Sequence, residues 1–235
     1  MNRSQAINPL IYRYLPRDKE LTAKLQEYPE IDDIYFLRRF LSEMATPRLN
    51  ALETQLLKIA KEYQGKEIPR RIDGRIEGTT TVDTVYRGYA ERLGRRLRLL
   101  QGMSVSSGEE AKRNDTLSDL CYLSVATLSV EANIANDIRH LFRSEIEEVT
   151  IPWDEERVGS STMPHKMNPA DFENIVSLWK AYLPRVSSAI LAQITEHQGD
   201  TTNEFLLPMT LEILVALSYA TKALTGYVEN LKINV

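Results

Sequence analysis

The chain has 235 residues, 43% of them apolar, and a formal net charge of −4 from 29 basic and 33 acidic side chains. That length suits one large domain or a domain and a half with a substantial core, and the mildly acidic balance gives no reason to expect nucleic acid as a partner. One cysteine rules out an internal disulfide, and neither a CxxC pair nor metal-ligand spacing among His140, His165 and His197 is present, so no metal or other cofactor is expected.

The opening stretch, MNRSQAINPLIYRYLPRDKE, lacks the long apolar segment of a signal peptide. No run of 18 uncharged apolar residues is available to span a membrane. The expectation is a cytoplasmic protein without a membrane partner.

Residues 1–25 form an irregular, proline-containing lead-in followed by a short helical run. Residues 31–64 are expected to be helical, with an interruption near Pro47. Beyond it, Leu49, Leu52, Leu56, Ile59 and Ala60 fall mostly on one helix face. KEIPRRIDGRIEGTT, at 66–80, is rich in charge and glycine and is expected to be a connector. A helix follows over 81–101; its Arg92, Arg95, Arg96 and Arg98 suit a solvated or interface face better than a ligand site.

After a polar loop at 102–113, Asp115 is expected to cap a helix over 114–146 by accepting from first-turn amides. Leu117, Leu120, Cys121, Ser124, Leu128, Ala132, Ala135 and Ile138 recur mostly every three or four residues. Cys121 belongs to this stripe and is expected to be a buried core residue. Such length indicates a bundle. Small residues from Ser124 to Ala135 allow close helix approach. A helix over 170–195 should bend at Pro184, and a last apolar helix covers 204–231. Strand patterns are nearly absent, so the fold class is all-α, a bundle of long helices.

The chemistry concentrates in Gly159–Pro169, GSSTMPHKMNP. Gly159 frees the backbone, two serines offer hydroxyls, Lys166 supplies positive charge, Asn168 both donates and accepts, and Pro164 and Pro169 restrain the ends. Such a loop could close over an anionic substrate, which would make residues 154–166 the most mobile internal segment of the unliganded chain. It could equally be a polar turn between two helices.

GSSTMPHKMNP resembles the signature of the fumarase, aspartase, argininosuccinate lyase and adenylosuccinate lyase superfamily. The histidine in MPHK, the lead-in NPLIYRY, the segment EANIANDIRHLFRSEIEEV and the ending GYVENLKINV resemble adenylosuccinate lyases in particular. The resemblance implies an L-aspartase-like fold and the elimination of fumarate from a succinylated purine nucleotide. It also implies a homotetramer whose active sites draw on several subunits. Residues 1–25 would be a remnant of the N-terminal domain and 26–235 the central helical domain, with the C-terminal domain absent. By motif, Ser160 is the base with Ser161 its neighbour, and Lys166 and Asn168 stabilise the charge that develops on a substrate carboxylate. Glu173 is the acidic residue following the loop; it also suits a helix first turn. Met163 packs the loop, His165 contacts substrate or loop, and Arg13 and Tyr14 bind the nucleotide phosphate.

Departures from the pattern are substantial. The RTHGQ motif, whose histidine is the general acid, is matched by Arg71–Arg75, RIDGR, where Asp73 stands at the histidine position. The Thr-Ser-rich substrate loop is replaced by YPEIDD at 28–33, the 102–113 loop is short, and HQGDTTNE at 197–204 lacks the arginines of the later substrate stretch. Three outcomes stay open: a lyase of the adenylosuccinate type, a helical oligomer-forming relative without catalysis, and a carboxymuconate cycloisomerase-like member.

Overall fold

The computed structural model describes residues 17–27, 33–104, 110–151, 169–197 and 199–234. They form a bundle of long helices with two small two-stranded sheets at one end. The short helix α1 (Lys19–Gln26) is capped by Asp18, whose side chain accepts from the Leu21 amide. Next come α2 (Asp33–Phe40) and a π-helical turn, Leu41–Ala45. The helix α3 (Thr46–Glu62) starts with Pro47 in its first turn. Proline has no amide to return to the preceding turn, and that turn is the widened one. This is the interruption expected near Pro47. Leu49, Leu52, Leu56, Ile59 and Ala60 are all buried, as their spacing predicts.

The connector expected at 66–80 is instead a β-hairpin of β1 (Glu67–Ile72) and β2 (Arg75–Thr81). Its tip is Asp73–Gly74, with φ of 50° and 78°. Positive φ at both central residues matches the right-handed twist of the flanking strands, and Asp-Gly favours it. The strands escape periodicity because most of their side chains are exposed, leaving no apolar alternation to detect.

Four long segments follow. The helix α4 (Val82–Gln101) is capped by Thr81 and buries Tyr86, Ala90, Leu93, Leu97 and Leu100. Arg95 and Arg98 lie on its exposed face. The helix α5 (Glu110–Leu141) has 32 residues, so it extends ~48 Å at ~1.5 Å per residue. It begins before Asp115, which is therefore an exposed interior residue rather than a cap. It ends at Leu141, where residues 142–147 turn and Glu147 takes a φ of 49°. Two short strands, β3 (Val149–Thr150) and β4 (Lys232–Ile233), then pair antiparallel.

The bend expected at Pro184 is a full break between α6 (Ala170–Tyr182) and α7 (Arg185–Leu191). Glu212 staples it, accepting from Arg185 Nη1 at 2.7 Å and from the Tyr182 hydroxyl at 3.1 Å. A 3₁₀ turn, Thr201–Asn203, leads into α8 (Leu206–Glu229). By length and composition Thr201–Glu229 could cross a membrane, but most of it is buried inside the bundle. A helix that is apolar on nearly every side is accounted for by its central place.

Side-chain pairs fix the directions of the helices. Tyr89 with Asp137 and Arg92 with Asn133 set α4 antiparallel to α5. Trp179 with Ser129, and Ser118 with the Ala189 carbonyl, set α6 and α7 antiparallel to α5. Tyr182 with Glu212 and Phe172 with Tyr227 set α6 antiparallel to α8, so α5 and α8 run parallel. Cys121 is fully buried, and burial pushes its thiol up to about 12, as befits a core residue.

Candidate functional site

The motif loop is carried between β3 and α6. Ser160, Ser161, Met163, His165, Lys166 and Asn168 lie outside the described residues, as do Arg13 and Tyr14. What is described is the frame. Before the loop, Val149–Thr150 pairs with Lys232–Ile233. Asn234 donates its amide to the Glu148 carbonyl at 3.0 Å and its side-chain nitrogen to the Glu147 carbonyl at 2.6 Å. After the loop, Pro169 opens α6, and its carbonyl accepts from the Glu173 amide at 3.1 Å. Glu173 is exposed in the first turn, where the amide dipoles favour a carboxylate.

The β1–β2 hairpin stands at the same end of the bundle, joining the end of α3 to the start of α4. Arg71 reaches from it to an ion pair with Glu148, tying the hairpin to the loop's root. Two residues of the RIDGR match therefore have architectural roles here: Arg71 is that tie, and Gly74 supplies the left-handed turn position. Asp73, at the position matching the family's general acid, is exposed at the hairpin tip.

Beneath the hairpin, Tyr86, Tyr89, Ile138, Leu141 and Glu148 line an apolar cavity of about 20 Å³, roughly enough for one water. A larger groove of about 180 Å³ lies where α4 ends, between Arg38, Leu41, Ser42 and Thr46 on one side and Leu100, Gln101 and Met103 on the other. The polar stretch at 197–204 lies farther along, beside the start of α5. There the Asp200 amide donates to Glu110 at the start of α5, and His197 is exposed with φ 54°. His140 is exposed near the other end of α5, as its place at a polar edge implies.

One chain thus separates its family-like pieces by nearly the full length of α5. The hairpin and loop roots occupy one end. The described residues of 197–204 lie at the other, beside the start of α5. Among the described residues no three His, Cys, Asp or Glu side chains are grouped to hold a metal ion.

Two carboxyls were not singled out by the sequence reading. Glu131 is fully buried on α5, and burial pushes its pKa up to about 8. Its signal was available, because it lies three residues after Leu128 and four before Ala135, inside the apolar stripe. Asp18 is the other. It is 2% exposed and held by Arg48 at 2.6 and 3.1 Å and by Lys222 at 2.8 Å. Its partners are 30 and 204 residues away in sequence, beyond any local pattern.

Comparison with known proteins places this arrangement. A family model described as lyase matches residues 49–180, more than half of the chain. Adenylosuccinate lyase of Pyrococcus abyssi is 34% identical over 130 residues, covering 52% of this chain and 29% of that protein. N-acetyl-S-(2-succino)cysteine lyase of Enterococcus italicus is 42% identical over 67 residues, covering 28% of this chain and 15% of that protein. Among solved structures, 3-carboxy-cis,cis-muconate lactonizing enzyme from Pseudomonas putida superposes with a TM-score of 0.73 at 18% identity, over 89% of this chain and 55% of that one. Class II fumarase from Schistosoma mansoni gives 0.73 at 16% identity, over 86% and 55%. The chain spans under a third of the length of these curated relatives. The matched region covers α3 through most of α6 and includes both the hairpin and the signature loop, and the chain belongs to the lyase family of the fumarase/aspartase superfamily.

Proposed function

We propose that this chain is a carbon–nitrogen lyase subunit of the adenylosuccinate lyase type, built to release fumarate from a succinylated purine nucleotide, and that the 235-residue chain by itself turns over very little. The observation that carries the first half is GSSTMPHKMNP set between β3 and α6 in a chain of this family. Ser160 would remove a proton beside a substrate carboxylate. Lys166 and Asn168 would hold the charge that develops there. Arg13 and Tyr14 would take the phosphate, and Ser161, Met163 and His165 would line the loop.

Asp73 carries the second half. The resemblance gives that position to a proton-donating histidine, and Asp73 offers no imidazole there. Its exposure at the hairpin tip supports that reading. The reaction as proposed needs no cofactor.

Binding separates the proposed site from its catalytic completeness. Titration calorimetry with adenylosuccinate should show Lys166→Met weakening binding about 10–100-fold, the loss of one charge-assisted contact. Equal binding by both chains would remove Lys166 from the site.

Assembly follows from the same reading. We propose a homotetramer in which each site collects the loop end of one chain and the far end of others, because α5 holds those ends ~48 Å apart. Leu183, Ile190, Leu191 and Ile194, around and beyond α7, are 44–74% exposed. Four exposed large apolar side chains within twelve residues are what an interface would cover. Sedimentation should give a tetramer at micromolar concentration, and Leu191→Asp with Ile194→Asp should shift it to smaller species. A strictly monomeric parent chain would contradict the assembly.

A further inference from the structure

Glu131 is the fully buried carboxyl in the contact between α5 and α8. Its Oε1 lies 2.6 Å from the Thr221 hydroxyl oxygen, and that same hydroxyl lies 2.8 Å from the Leu217 carbonyl. Thr221 owns one hydrogen, which cannot satisfy two acceptors at these distances. Both contacts are satisfied if Glu131 is the neutral acid. Its O–H then donates to Thr221, and Thr221 donates to Leu217. The remaining oxygen, Oε2, is buried without a partner. A neutral carbonyl oxygen tolerates this far better than a carboxylate does.

Among the described residues no cation is placed to offset a charge at Glu131. On α8 the next residue, Lys222, is turned to Asp18 and Glu20. On α4, Arg92 donates to Asn133, and the nearby Asp137 is held by Tyr89 and Asn133. On α6, Trp179 donates to Ser129. Among the described residues, burial raises Glu131's pKa and the Thr221 hydroxyl opposes that rise.

We propose that Glu131 is a proton-carrying latch between α5 and α8: as a neutral acid it closes the contact through Thr221, and losing its proton opens that contact locally. Ionisation would leave a buried carboxylate with one available hydrogen, and using it would strip the Leu217 carbonyl of its bond. Because Lys222 follows Thr221, an opening there also loosens the anchor on Asp18. The device is independent of the lyase reading and operates whether or not the chain is catalytic.

The sign follows from linkage. A carboxyl whose folded pKa is raised binds its proton more tightly in the folded chain. Stability is fully present below its unfolded value of 4.5 and falls as pH rises through about 8. One retained proton corresponds to a tenfold fall in the folded-to-unfolded ratio per pH unit within that window.

The test compares the full chain with Glu131→Gln by urea denaturation from pH 5 to 9. The parent should show a slope steeper by about one proton, and identical slopes would overturn the latch. Should the variant fail to fold, two measurements on the parent decide. The infrared carbonyl band of a buried protonated acid should be present at pH 6 and absent at pH 9.5. Amide protection around Glu131 and Thr221, corrected for intrinsic exchange, should fall over the same range before the rest of α5 is affected. A missing band at pH 6, or uniform loss along α5, would refute the proposal.

Discussion

Replacing Arg48 by methionine is expected to destabilise the chain by about 3 kcal/mol, measured as a shift in the urea midpoint at pH 7 with an unchanged slope. Arg48 holds Asp18 with two nitrogens and also reaches Glu20 at 2.7 Å and the Ser218 carbonyl at 3.1 Å. It thereby joins the start of α1 to α3 and α8. Removing one partner of a buried pair leaves the other desolvated and costs about 3–5 kcal/mol. The low end applies because Lys222 and the Leu21 amide still contact Asp18.

The same knot sets an acid limit on stability. Burial pulls the Asp18 pKa up, but hydrogen bonds from Arg48, Lys222 and the Leu21 amide outweigh it and hold it below the ordinary value. Its contribution is therefore present above pH ~4 and lost as pH falls through the lower folded value. Arg48→Met should flatten that acid limb. An unchanged midpoint at pH 7 would show that Asp18 and Arg48 do not anchor α1.

Much of the fold was legible because its core helices repeat apolar residues every three or four positions. The stripe from Leu117 to Ile138 marked α5, and the proline at 184 marked the break between α6 and α7. Boundaries were harder. Asp115 has the chemistry of a cap, but Lys112–Asn114 are good enough helix continuations for α5 to begin at Glu110. The hairpin was missed because its strands are solvated on both sides, although Asp73–Gly74 carried a turn signal. The signature loop was legible as a motif, while the residues it names lie outside the described ones. The Asp18 knot was not legible, because its partners meet only when α1, α3 and α8 pack together.

The catalytic expectation has the largest magnitude. Elimination needs a base at carbon and an acid at the leaving nitrogen. Ser160, proposed as the base, and Lys166 and Asn168, proposed as the carboxylate contacts, are present in the sequence, while the position matching the acid holds Asp73. Losing a positioned proton donor costs on the order of 10²–10⁴ in rate. On the proposed reading, the departures at 28–33 and 197–204 would also misplace substrate and add to that deficit. A mixed tetramer in which another subunit supplies a histidine would recover part of it, so the chain must be assayed pure.

The most direct measurement is fumarate release from adenylosuccinate by the purified 235-residue chain, alongside Ser160→Ala and an intact adenylosuccinate lyase. The expected result is a rate at least 10²-fold below the intact enzyme, with Ser160→Ala scarcely different from the parent. Robust turnover by the parent, abolished in Ser160→Ala, would contradict the account and require a proton donor other than Asp73.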